Sequence, residues 1–350
     1  MLASIQRAFR RRWRFRRYRA IFALAPSNFT SGGPEATHQL VHVLRERGHN
    51  AHLSYFPDPT SSVPRPYLGY HTAVHQAIDE PGNLIIIPEV WTHMIRPIHH
   101  AQIAVWWLSL DNFFGDPNDG AALAQSKLDQ DERRSPETSV ARATWDELRR
   151  VLNFSQSDYA SRYLALRNVP TARLDDFINS AFEPPADGSR ENVILFNPLK
   201  GLPTSERLMK AWPDYRWLPI SGMSRDDVMT VLSTSKLYVD FGTHPGRDRL
   251  TREALLSGAC IIVGNRGTAG NSRDVPVPHG FRLNEADPNF EEAFKATVDG
   301  IFDDHRRQLA RFDDFIAEIR RQRLEFEHQV SMIFEKPRWG SPATRNIHSV

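Results

Sequence analysis

One cysteine, Cys260, occurs in 350 residues, which excludes an internal disulfide and leaves no CxxC pair to hold zinc; a reducing compartment fits that usage. No apolar run approaches the roughly 20 residues that cross a bilayer. The apolar stretch at 20–25, ended by Pro26, is too brief for a secretory signal. No segment visibly repeats, which argues against solenoids and propellers. Also missing are a GxGxxG dinucleotide loop, a Walker A loop and a GxSxG nucleophile elbow. His38 and His42 have the i, i+4 spacing of zinc ligands, but Gln39 stands where a zinc hydrolase needs glutamate, and no third ligand is evident.

What is present is a globular composition, 40% hydrophobic and 25% charged, at a length that suits two domains. The net charge of +2 conceals a split. Residues 1–19 carry eight arginines and no acid, and removing them leaves −6 on the rest. The run from Arg10 to Arg19, RRRWRFRRYR, interleaves Trp13, Phe15 and Tyr18 with arginines. Each basic residue gains about 1 kcal/mol beside an anionic leaflet, and aromatics settle at the interface. This leader therefore reads either as an anchor to an anionic membrane surface or as a disordered tail. Nucleic acid attracts such a run too, but the acidic body offers no second basic cluster, so no nucleic-acid partner is expected. The expected location is cytoplasmic, peripheral on the inner membrane face.

Short apolar runs alternate with helix-period segments. Runs at 19–25, 50–56, 84–88, 103–108 and 151–155 read as strands, the last of them closing a first half. Those at 84–88 and 103–108 are dense enough for parallel strands buried on both faces. A helix with Ala36, Leu40, Val43 and Leu44 on one face follows the first run. The alternation restarts with strands at 193–197, 216–220, 237–241 and 259–264. Helices are expected at 205–212 and from Ser224, an N-cap followed by Asp226 and Asp227. Two such series predict an α/β protein of two doubly wound, Rossmann-like domains facing a cleft. The expected division is a leader over 1–18, a first domain over 19–170, a second over 171–335 with a long helical segment at 303–334, and a tail over 336–350. The polar stretch 114–136 reads as a loop or partly helical insertion.

Gly32 and Gly33 lie between the first strand and its helix, where a missing Cβ lets a ligand approach the backbone and a helix N-terminus favours anions; a tight βα turn is the equal alternative. Lys200 follows the strand at 193–197, at the edge where open α/β sheets bind ligands. Past 237–241 comes a loop with Gly242, His244, Gly246, Arg247 and Arg249, then a helix beginning near 252–253. Two arginines on such a loop suit a diphosphate, and Glu253 near the helix start suits ribose hydroxyls. The bland alternative is a surface ion-pair cluster of Asp248, Arg249, Arg252 and Glu253. Glu89 and Asp111 sit just past apolar strands, placed either to orient or deprotonate an acceptor hydroxyl or to cap loops. Trp106 and Trp107 are either core or sugar-facing, with core preferred, and Cys260 is read as a buried thiol.

The GG loop with its helix and the following Gly48 and His49, together with the second-half strand, glycine-containing loop and REALLSGACIIVG, resembles GT-B glycosyltransferases. The likeness is closest to glycosyltransferase family 4 and its bacterial polysaccharide relatives, and it covers most of 19–334. The resemblance implies an acceptor in the first half, a nucleotide-sugar donor in the second, and a C-terminal helix crossing back. It places Glu253 at the second glutamate of an E-x7-E motif, on the donor ribose. Lys200 and one of Arg247 or Arg249 take diphosphate-binding positions. The pattern departs at Pro245, eight residues before Glu253, where the first glutamate is missing; either His244 or Asp248 replaces it, or the sugar is handled differently.

The expected activity is sugar transfer from a nucleotide-sugar to a glycan or lipid-linked acceptor in surface polysaccharide synthesis. Positioning and stabilisation of the departing diphosphate carry the catalysis, with no cofactor and no obligatory metal. Glu89, Asp111 and His244 are the catalytic candidates; Gly32, Gly33, Lys200, Gly246, Arg247, Arg249 and Glu253 are the donor-binding ones. Two rivals stand beside it: a catalytically silent GT-B scaffold at the membrane, which the missing glutamate favours, and a sugar-nucleotide epimerase, which needs neither a separate acceptor nor a leader.

Overall fold

The structure, a computed structural model, describes residues 18–115, 142–179, 182 and 189–335. The leader before Tyr18, the polar stretch beyond residue 115 and the tail after 335 lie outside the described residues.

Strands β1 (Ile21–Pro26), β2 (Ala51–Phe56), β3 (Leu84–Pro88), β4 (Gln102–Trp107), β5 (Leu152–Ser155) and β6 (Ala172–Arg173) form one parallel sheet, in the order β2-β1-β3-β4-β5-β6. Side chains point to alternate faces along a strand. Leu84 and Ile86 of β3 pack with Ala23, Ala104 and Trp106, while Ile85 and Ile87 pack on the other face with Phe22, Val105 and Trp107. That two-sided burial makes these runs apolar at every position. Both tryptophans are core, and each indole N–H has an acceptor: Trp106 donates to the Leu174 carbonyl at 3.0 Å and Trp107 to Asn153 Oδ1 at 2.9 Å. Strand β6 departs from expectation. The run at 151–155 is not the last strand of the first sheet, which continues to Arg173. Two residues, one of them arginine, leave no apolar run to read. Helices α1 (Gly32–Glu46), α2 (Trp145–Arg150) and α3 (Asp158–Ala165) accompany this sheet.

The second sheet holds β7 (Glu191–Phe196), β8 (Arg216–Pro219), β9 (Ser235–Asp240) and β10 (Cys260–Val263), all parallel, in the order β10-β9-β7-β8. Its helices are α4 (Leu202–Ala211), α5 (Arg225–Thr234) and α6 (Arg249–Leu256). The Ser224 hydroxyl accepts from the Asp227 N–H while the Asp227 carboxylate takes the Ser224 N–H, a capping box that starts α5. Helix α6 begins earlier than expected. Asp248 accepts from the Leu250 N–H at 2.8 Å as N-cap, so Arg249 is the first helical residue rather than a loop residue. Cys260 is buried, which pushes its thiol up to about 12.

The segment after 289 is three helices, α7 (Phe290–Asp303), α8 (His305–Ala310) and α9 (Asp313–Phe334). Phe315, Ile316 and Ile319 of α9 pack into the second domain's core. Phe326, Val330, Ile333 and Phe334 pack into the first domain's, beside Leu174 and Phe177. The last helix thus crosses back from one domain to the other.

Candidate functional site

In open parallel sheets, ligands bind outside the carboxyl ends of the strands where the strand order reverses. The first sheet reverses between β1 and β3 and the second between β7 and β9. Between these edges lies a cavity of about 580 Å³, within the range of ligand pockets. Its walls come from both domains: Ser31, Gly32, Gly33 and Glu35 at the start of α1, Leu108 and Ser109 past β4, Lys200 past β7, Arg225 at the start of α5, and residues 245–250 with Glu253 past β9. A second recess of about 290 Å³ opens at the β1/β3 edge, bounded by Leu24, Pro26, Pro88, Glu89 and Trp91. It shares Ser31, Gly33, Leu108, Ser109 and Asn112 with the larger cavity.

The cavity's cations are each held by an acid. The Lys200 ammonium donates to Asp248. Burial works against its charge, but Asp248 and Asp240 outweigh it and raise its pKa. Arg249 Nη1 donates to Asp176 Oδ2 at 2.9 Å and to the Phe177 carbonyl at 3.0 Å, its Nη2 lies 3.0 Å from Glu35 Oε1, and its Nε lies 3.6 Å from Glu253 Oε1. Arg225 Nη1 lies 3.3 Å from Glu35 Oε2. Arg247 lines the cavity, yet its guanidinium is committed to Glu318 at 3.2 Å and Asp175 at 3.5 Å. Behind this wall Arg252 joins Asp176, at 2.9 Å, to Gln322 of α9, also at 2.9 Å. Asp176 is fully buried, which opposes ionisation, but Arg252 and Arg249 hold it down to about 2. Burial raises Glu253, against the pull of Arg249.

Glycine at 246 has a steric cause. Gly246 forms a bridge with Ser109 across the cleft, and a Cβ there would stand 2.0 Å from the Leu108 carbonyl oxygen. At Gly32 a Cβ would stand 2.9 Å from Arg249 Cδ, so the close approach this glycine permits is that of a side chain from the other domain. A further contact joins the domains where Asp274 accepts the N–H groups of Asp158 and Tyr159, at 2.7 and 2.8 Å, at the start of α3.

The three catalytic candidates fall in different places. Glu89 lines the recess, fully buried, and accepts the Leu108 N–H at 3.0 Å; burial pushes its carboxyl up to about 7. Asp111 is buried and accepts the Tyr159 hydroxyl at 2.9 Å; it lines neither cavity. His244 also lies behind the wall, with Nε2 3.2 Å from Asp240 Oδ1; burial disfavours a charged ring, but Asp240 raises its pKa. Asp240, His244 and Asp248 bring possible metal-ligating atoms within 4.8 Å of one another, and the cation beside them is Lys200. His38 is engaged elsewhere, through Nδ1 to the Pro34 carbonyl at 2.7 Å and Nε2 to the Tyr55 hydroxyl at 2.9 Å.

Three site residues had no local signal: Glu35, Arg225 and Asp176. Glu35 and Arg225 stand 190 positions apart in sequence. Their shared cue is position alone, since each lies in the first turn of a helix that follows a strand's carboxyl end.

No family model matches the chain, and no curated protein matches it by sequence. Solved structures do. Anabaena HepE in complex with UDP superposes with a TM-score of 0.58 at 13% identity, over 89% of this chain and 98% of that one. The catalytic domain of Arabidopsis thaliana starch synthase IV bound to ADP and acarbose gives 0.60 at 9%, over 91% and 100%. The pneumococcal O-GlcNAc transferase GtfA in complex with UDP and GlcNAc gives 0.57 at 9%, also over 91% and 100%. At such identities the likeness concerns architecture. The chain has the GT-B fold, two Rossmann-like domains facing a cleft, along nearly its whole length.

Proposed function

We propose that this protein is a glycosyltransferase that takes a nucleotide-sugar into the interdomain cavity and transfers the sugar to an acceptor hydroxyl seated at the recess beside Glu89. One observation carries the reading. The cavity lies at the carboxyl edges of both sheets of a GT-B fold with Lys200, Arg225 and Arg249 on its wall, and the recess that adjoins it holds a carboxyl raised to about 7. In the reaction, the acceptor oxygen bonds to the anomeric carbon as the bond from that carbon to the diphosphate oxygen breaks. The acceptor's proton passes to Glu89, whose raised pKa makes it a competent base near neutral pH. The diphosphate leaves with the electron pair, stabilised by the cationic wall. Glu253 takes the ribose hydroxyls. Asp111 and His244, both behind the walls, act as positioning groups through Tyr159 and Asp240. The basic, aromatic run from Arg10 to Arg19 supports a lipid-linked or glycan acceptor worked on at an anionic membrane surface, as in surface polysaccharide synthesis.

Thermal-shift titration with UDP-, GDP-, ADP-, CMP- and dTDP-sugars, followed by transfer assays with the donor that binds, tests this reading. A stabilising donor whose affinity falls in Glu253→Ala is the expected result. A Glu253→Ala variant that binds every donor as the parent does removes Glu253 from the site.

A further inference from the structure

We infer that Arg225 and Arg249 form the seat of the donor's diphosphate and that Glu35 fills that seat in the free protein, so that the nucleotide enters by exchanging with an internal carboxylate. The inference rests on the donor reading above. Of the acids lining the large cavity, Glu35 is the one supplied by the first domain; Asp248 and Glu253 come from the second. It reaches across the cleft to two arginines, 3.3 Å from Arg225 and 3.0 Å from Arg249, each the first residue of its helix. The other cationic side chains of the wall are answered elsewhere, Lys200 by Asp248 and Arg247 by Asp175 and Glu318.

Charge is met at this seat, but hydrogen bonding only in part, through Arg225 Nη1 to Glu35 Oε2 at 3.3 Å. A guanidinium carries five N–H groups, and a carboxylate has two oxygens. One Glu35 oxygen also takes the Tyr70 hydroxyl, at 2.7 Å. Accordingly, Nη2 of Arg225 is buried without a hydrogen bond, and Nη2 of Arg249 faces Glu35 Oε1 at 3.0 Å without making one, on a side chain only 9% exposed. A diphosphate brings more oxygens and more charge than one carboxylate, in the geometry that forked guanidinium donors match. Exchange strands neither partner. Arg249 keeps Asp176, while Glu35 keeps the Tyr70 hydroxyl and the favourable field of the first turn of α1.

The test titrates inorganic pyrophosphate and, separately, UDP, GDP, ADP and dTDP into the full chain, Glu35→Gln and Arg225→Ala by calorimetry, with melting curves confirming that each variant is folded. Glu35→Gln keeps the shape and removes the competing charge. The expected result is roughly tenfold tighter binding of pyrophosphate and of the accepted nucleotide to Glu35→Gln, and weaker binding to Arg225→Ala, on the scale of one charge-assisted hydrogen bond. Equal or weaker binding to Glu35→Gln overturns the exchange while leaving the donor reading standing. Tighter pyrophosphate binding with no nucleotide bound by either protein overturns the donor reading, and with it the assignment of the seat to a nucleotide's diphosphate.

Discussion

Glu89 and Asp176 are both fully buried carboxyls at the cleft, and their acidities lie on opposite sides of the ordinary value. Glu89 faces a recess of Leu24, Pro26, Pro88 and Trp91 and is pushed up to about 7. Asp176 lies under the cationic wall, where Arg249 and Arg252 hold it at about 2. Burial works against ionisation at both, so counter-charge decides. One strand–helix unit, used twice, has produced a wall that leaves a carboxyl free to take a proton and a wall that never releases its charges.

Removing the titrating group is expected to have the largest effect. Glu89→Gln should lower turnover about 10²–10⁴-fold with donor affinity unchanged, as for loss of a general base. In the parent, the rate should climb with pH through about 7, and that limb should vanish in the variant. Initial rates across the pH range check both. Next comes Asp176→Asn, which leaves Arg249 and Arg252 without their shared counter-ion and should cost about 3–5 kcal/mol in denaturant unfolding. The two carboxyls also give stability opposite slopes against pH. Folding raises Glu89 from 4.5 to about 7, so its contribution is complete below 4.5 and is lost as pH rises toward 7. Folding lowers Asp176 from 3.8 to about 2, so its contribution is complete above 3.8 and is lost as pH falls toward 2. Each substitution should flatten its own slope only. Lys200→Ala should lower kcat/KM roughly 10²-fold, as for loss of a group that meets developing charge, while its partly exposed ion pair with Asp248 should add no more than about 1 kcal/mol of stability. Deleting residues 1–17 should have the smallest effect on the body, within about 0.5 kcal/mol, while abolishing salt-sensitive sedimentation with anionic vesicles.

The strands were legible because two-sided burial forces apolar residues at consecutive positions, as in β3 and β4. The start of α5 was legible because its cap, Ser224 with Asp227, is local. The start of α6 was not, because Asp248 caps it inside a run of charges in which no single residue stands out. The site divided along the same line. Glu89 and Lys200 follow strand ends and Glu253 lies one turn into α6, and each lines the recess or the cavity, so their proposed places were open to a reading by spacing. The acids that hold the cavity's arginines come from distant segments: Glu35 is 190 positions from Arg225, and Asp176 is 73 from Arg249. Asp111 shows the converse, a carboxylate in the expected place whose partner, Tyr159, turns it away from the cavity.

Helix α9 limits how the molecule can move. Its 22 residues span about 33 Å at 1.5 Å each, and the two ends are sunk in different cores. A gape of the cleft across this rod would draw one end out of its packing, exposing Phe326 and Val330 or Phe315 and Ile319. The same holds for a turn about its long axis, because each core grips one face of the helix, so α9 works as a tie bar that couples the two domains.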